Sequence, residues 1–126
     1  MPKNIRLIAA LSWTVFTTVL CLVSFGDLPT VNVSGVDKYV HATFHFVFVV
    51  LWYFYMADKN VAVVKTLARV VIMSLVFGIL LEIAQGLFTA TRQPDAKDVA
   101  ANTAGALIAM FVLLAWNRFT QRDTAN

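Results

Sequence analysis

Charge is what this chain has least of. Aspartate, glutamate, lysine and arginine make up 13% of its 126 residues, about half the roughly 25% usual in soluble domains. A single cysteine, Cys21, lies inside an apolar run, so neither a disulfide framework nor a cysteine-ligated metal cluster can form within the chain. The compact catalytic signatures are missing too: there is no nucleophile elbow, phosphate loop, HExxH or paired-cysteine motif.

Apolar side chains fill the gap. They reach 60%, against roughly 45–50% in globular proteins, and the mean hydropathy is +0.75. A water-soluble fold of this composition would expose more apolar surface than solubility tolerates. An ordinary cytosolic enzyme and a disordered segment are both excluded. The net charge of +3 and pI near 9.3 do not point to nucleic acid, because a binder gathers its Lys and Arg into one patch. Here they stand at the ends of apolar runs, as in proteins that orient themselves in a membrane. No nucleic-acid partner is expected; membrane lipids are.

Four such runs cover about 7–25, 39–56, 67–88 and 99–116. Each is close to the roughly 20 residues that cross a hydrocarbon core of about 30 Å. Only helices and closed barrels satisfy the backbone in lipid, and these runs lack the two-residue alternation of barrel strands. The expectation is an all-α, single-domain membrane bundle of four transmembrane helices. A cleaved signal peptide is the competing reading of the first run, since Lys3 and Arg6 precede it and Ser24 and Gly26 are small. Its apolar stretch of about 19 residues is longer than a signal core of roughly 7–15, which favours a retained helix. Leu20 before Cys21 makes a poor lipidation site.

Seven of the ten basic residues fall at the amino terminus, around Lys59, Lys65 and Arg69, or at the carboxyl terminus. Lys38, Arg92 and Lys97 fall on the other side. By the positive-inside rule both termini are then cytoplasmic. The aromatics Trp52, Tyr53, Tyr55 and Trp116 stand where helix ends meet the interface.

The polar residues left over gather beneath the two outer loops. Asp37, His41 and His45, spaced four apart, form one stripe on the second helix, with Lys38 beside it. Glu82 and Gln85 share a face of the third helix; Asp98 and Asn102 share one at the start of the fourth. His41 and Asn102 each lie about 6 Å below the start of their stripe at 1.5 Å per residue. Antiparallel hairpins bring all three stripes to one depth. Glu82 stands out, because an ionisable group costs roughly 2.5–3.5 kcal/mol near a helix centre, less toward the interface. His41, Asn102, Arg92 and Lys38 are its available partners. Taken singly, each has a plain account. Asp95 after Pro94 reads as a helix N-cap, and His45 among phenylalanines as a packed histidine. Ala101, Gly105 and Ala109, like Ser74 and Gly78, read as helix contacts.

The series Asp37-Lys38-x-x-His41-x-x-Phe44, Glu82-x-x-Gln85-x-x-Phe88-x-x-x-Arg92 and Asp98-x-x-x-Asn102-x-x-Gly105 resembles the VanZ-like family of small membrane proteins, over about 36–110. The chain departs in having Asp95 where a small hydroxyl residue is expected and Ala109 where a second glycine tends to stand. The resemblance implies a role in the cell envelope at the bacterial cytoplasmic membrane, the namesake being linked to teicoplanin resistance. It brings no settled mechanism.

Chemically, Arg92 and Lys38 suit a phosphate or carboxylate, Arg92 through a bidentate fork. His41 with Glu82 or Asp98 could serve as acid and base. Three carboxylates with one imidazole could hold a divalent ion, but the cations beside them count against it, and neither metal nor cofactor is expected. Three functions remain open. One is a binding module for the head of a lipid or lipid-linked cell-wall precursor, drawing on Asp37, Lys38, His41, Glu82, Gln85, Arg92, Asp98 and Asn102. The second is an enzyme acting on that head group through His41, Glu82 and Asp98. The third is a structural or proton-relay subunit, which as a transporter would need to form homo-oligomers.

Overall fold

The computed structural model describes residues 1–23, 35–89 and 94–123. Among these the chain forms four helices and no strand: α1 (Lys3–Leu22), α2 (Val36–Met56), α3 (Val63–Phe88) and α4 (Ala96–Asp123). Each is long and apolar enough to cross a membrane. The helices overrun the apolar runs at most of their ends. Backbone hydrogen bonding continues through polar turns at the head-group level, where hydropathy has already fallen but the i→i−4 ladder has not. At the end of α1 the order reverses: the helix stops at Leu22, and the expected residues 24 and 25 lie outside the described ones.

The helices alternate in direction, as the cross-links between them show. His41 meets Asn102 near the starts of α2 and α4, and Tyr53 meets Asn117 toward their ends, so these two run side by side in parallel. His45 meets Ser74, which sets α3 antiparallel to α2. Gln85 reaches the carbonyl of Cys21, aligning the end of α3 with the end of α1.

The most extensive packing is between α2 and α4. Gly105 is the reason they come so close. A methyl on it would overlap the Ala42 carbonyl and lie 2.8 Å from the Ala42 Cα. Ala106 and Ala109 are fully buried on the same face, so small residues let the two backbones touch. The core continues through Phe48, Val49, Leu67, Val70 and Leu113. Phe48 and Phe77 stack with centroids 5.0 Å apart.

Helix α1 is an outrigger. Among the described residues it packs on α2 and α3 and makes no close backbone approach to α4. Three buried or part-buried side-chain bonds hold it, Trp13 Nε1 donating to the Phe44 carbonyl at 3.0 Å, Trp52 Nε1 to Thr14 Oγ1 at 3.1 Å, and Gln85 Nε2 to the Cys21 carbonyl at 2.9 Å, and exposed Arg6 adds a fourth to the Phe54 carbonyl at 3.2 Å. Its outer face, including Ile8, Val15 and Val19, is exposed, as suits a surface against lipid tails.

Candidate functional site

The site lies where α2 and α4 begin and α3 ends. Glu82 sits six residues before the last residue of α3, about 9 Å along the axis at 1.5 Å per residue. It is only 4% exposed. Its Oε2 accepts the backbone N–H of Asp95 at 3.1 Å, while Oε1 is buried without a hydrogen-bond partner.

Asp95 caps α4. Its Oδ1 accepts the Lys97 N–H at 2.8 Å, satisfying one of the free donors of the first turn. The expected cap is therefore present, and the same residue's N–H is the partner of Glu82 that spacing did not reveal. The only signal was Pro94-Asp95 itself, which turns the chain back over the end of α3. Pro94 lies against Gly86, where a methyl would come within 2.6 Å of its ring.

In the first turn of α4, Asp98 points across to α2. Its Oδ2 lies 3.7 Å from His41 Nε2, and its Oδ1 lies 3.9 Å from Lys38 Nζ. Neither distance makes a direct hydrogen bond, and Oδ1 has no hydrogen-bond partner. On the far side of the ring, His41 Nδ1 meets Asn102 Oδ1 at 3.1 Å. An amide oxygen only accepts, so Nδ1 carries the proton. Nε2 is then the ring nitrogen that faces Asp98. Asn102, 2% exposed, keeps Nδ2 buried and without a partner. It fits because Gly78 has no side chain: a methyl there would lie 3.0 Å from Asn102 Nδ2.

His41, Glu82, Asp98 and Asn102 thus come together, with Lys38 at the rim. Two other expected members stand apart. Asp37 is exposed and pairs with Lys38 at 3.4 Å. Gln85 is buried but turned to α1. Arg92 lies outside the described residues. His45 is the packed histidine that its neighbours implied: Nδ1 shares a 2.7 Å hydrogen bond with Ser74 Oγ, and its ring lies beside Phe48 and Phe77.

Another opening exists at the opposite end, a cavity of about 640 Å³ lined by Arg6, Tyr53, Asp58, Lys59 and Asn117 among others. Its described lining includes the buried Tyr53 but no buried carboxylate or histidine, so the acid–base chemistry points to the cluster instead.

No curated protein and no solved structure matches the chain. A family model described as VanZ/LLP1 matches residues 3–117, which takes in all four helices and every member of the cluster. With four membrane-spanning helices and this motif set, the chain belongs to the VanZ/LLP1 family.

Proposed function

We propose that the cluster of His41, Glu82, Asp98 and Asn102 holds the polar head of a membrane lipid or a lipid-linked cell-wall precursor. One observation carries this reading. Three buried polar atoms, Glu82 Oε1, Asp98 Oδ1 and Asn102 Nδ2, lie at one end of the bundle without hydrogen-bond partners, and such groups are costly unless something satisfies them. Two acceptors and one donor suit a head group bearing hydroxyls or amines better than a simple anion. Exposed Tyr39, Leu87 and Phe88 stand at the same end and offer an apolar flank for attached chains. The distribution of basic residues supports an outer-leaflet position for this end, where envelope precursors are displayed.

The test is lipid retention. The protein, extracted with its surrounding membrane into polymer discs, should carry one lipid class enriched over the bulk membrane. Glu82→Gln and Asn102→Ala should lose that enrichment, and Asp58→Asn at the opposite end should keep it. Identical lipid profiles in all four proteins would overturn the reading. Altered teicoplanin tolerance is, in this reading, a downstream effect of holding a cell-wall precursor, and it should vanish in the same two variants.

An enzyme acting on the head group has one specific observation in its favour. Asn102 holds His41 by Nδ1 and leaves Nε2 toward Asp98, the orientation of a positioned general base. Turnover of the retained lipid, lost in His41→Gln while binding persists, would select it.

A further inference from the structure

We infer that His41 Nε2, Glu82 and Asp98 form a binding site for one divalent transition-metal ion, Zn²⁺ or Mn²⁺ in character, within the cluster assigned to head-group binding above. The inference rests on that location but not on any lipid being bound.

The three side chains each offer one ligand atom, and all three atoms lie within 4.8 Å of one another. Zn–N and Zn–O bonds of about 2.0–2.2 Å place tetrahedral ligands roughly 3.3–3.6 Å apart. The 3.7 Å between His41 Nε2 and Asp98 Oδ2 is close to that edge and too long for a direct hydrogen bond. Binding would require the side chains to draw in from separations of up to 4.8 Å.

A cluster of acids alone would prove little. Two independent features point to a ligand here. Glu82 is 96% removed from solvent by its 4% exposure, and Oε1 has no partner, although its other oxygen is fixed by the Asp95 N–H. An oriented carboxylate with one oxygen idle is a donor waiting for an acceptor. The second feature is the far side of His41. Metal-bound histidines almost always donate their other ring N–H to a carbonyl or carboxylate, which sets the tautomer. Asn102 Oδ1 plays that part at 3.1 Å. The outcome is that Nε2 faces two carboxylates, an arrangement that calls for a proton on Nε2 or a cation between the three groups.

Charge agrees. Two carboxylates and a neutral imidazole balance a divalent ion. The mixed nitrogen and oxygen set favours Zn²⁺ or Mn²⁺ over Ca²⁺ and Mg²⁺, which prefer oxygen alone. Lys38, a cation that counted against a metal, approaches Asp98 through Oδ1 and leaves Oδ2 on the His41 side. Three protein ligands leave at least one position open, where a phosphate or hydroxyl oxygen of the head group, or water, would bind.

The probe is the metal alone. Untagged protein, stripped with chelator in detergent and free of lipid, is titrated with Zn²⁺ by calorimetry and with Co²⁺ by visible absorption. One ion per chain, with a rise in thermal midpoint and a Co²⁺ spectrum containing a nitrogen ligand, is expected. Glu82→Gln and Asp98→Asn, near-isosteric changes, should weaken binding at least 100-fold, and Asn102→Ala, which removes only the support of His41, by about 10–100-fold. His45→Gln should bind like wild type. Loss in the ligand variants while His45→Gln binds supports the site. Absence of saturable binding by wild type, or undiminished binding in Glu82→Gln and Asp98→Asn, overturns it. Lipid enrichment measured in chelator is a separate readout: if it persists while metal binding fails, the head-group site stands and the metal falls.

Discussion

Two glycines with the same helical backbone do different jobs, and the difference is measurable. At Gly105 an added methyl meets main chain, the Ala42 carbonyl and Cα, which cannot yield without parting α2 from α4. Gly105→Ala is expected to destabilise the protein by about 1–3 kcal/mol, the usual scale of overpacking. At Gly78 the methyl meets only side-chain tips, Asn102 Nδ2 and His45 Cε1, both at 3.0 Å. These can give by a few tenths of an ångström, and Ala gains about 1 kcal/mol of helix propensity over Gly. Gly78→Ala should therefore leave stability near wild type while shifting Asn102 and impairing the site. Thermal unfolding in detergent, set beside lipid retention, separates the two. Equal loss of stability in both variants would contradict the distinction.

At the scale of the helix, α1 shows how little holds a membrane element in place. Its buried or part-buried bonds to α2 and α3 run through Trp13, Trp52 and Gln85. Interhelical hydrogen bonds within membranes average about 0.6 kcal/mol and reach about 1.7, because the partners find substitutes when separated. Gln85→Leu should accordingly cost about 1 kcal/mol, not the larger penalty of an orphaned carbonyl in dry hydrocarbon, and should leave the cluster of His41, Glu82 and Asp98 working. Unfolding in mixed micelles checks this, and a collapse of lipid retention would return Gln85 to the site. The helices themselves were legible in the sequence, because a run long enough to span hydrocarbon leaves the backbone no other solution. Their ends were not: α4 begins at Ala96, ahead of the apolar run, since Asp95 caps it with a side chain that hydropathy counts only as polar. Face sharing at four-residue spacing brought Asp98 and Asn102 together correctly, but it could not tell that Gln85 turns away from Glu82. Two residues three apart diverge by about 60° around a helix of 3.6 residues per turn, enough for one to meet α4 and the other α1. Nor could spacing reveal a backbone N–H as the partner of Glu82.

For the molecule as a whole, orientation decides which face of the membrane the cluster serves. Seven of ten basic residues lie on the side of the termini and of Lys59, which should hold that side in the cytoplasm. In a Cys21→Ala background, Asn60→Cys should resist a membrane-impermeant thiol reagent applied to intact cells, and Asn32→Cys should react. The opposite pattern would place the cluster in the inner leaflet and remove displayed envelope precursors from consideration. The family match over residues 3–117 and the bundle of four spans fit a small integral membrane protein whose chemistry is confined to one end.

That confinement has a consequence in time as well as in space. Glu82 is settled by the Asp95 N–H and faces Asp98 and His41, so its surroundings are half supplied by chain that is synthesised after it. While α3 is entering the bilayer, α4 is not yet packed beside it, and the carboxyl group must cross or wait unaccompanied at a cost of roughly 2.5–3.5 kcal/mol on insertion scales near the centre, less toward the interface. His41 emerges earlier but lacks Asn102 to orient it. A chain halted at residue 93 therefore carries three hydrophobic spans and no finished polar interior, and it should be cleared by membrane proteolysis, whereas supplying 94–126 as a separate polypeptide should extend its lifetime in a pulse-chase. Maturation of this protein is the arrival of its last helix.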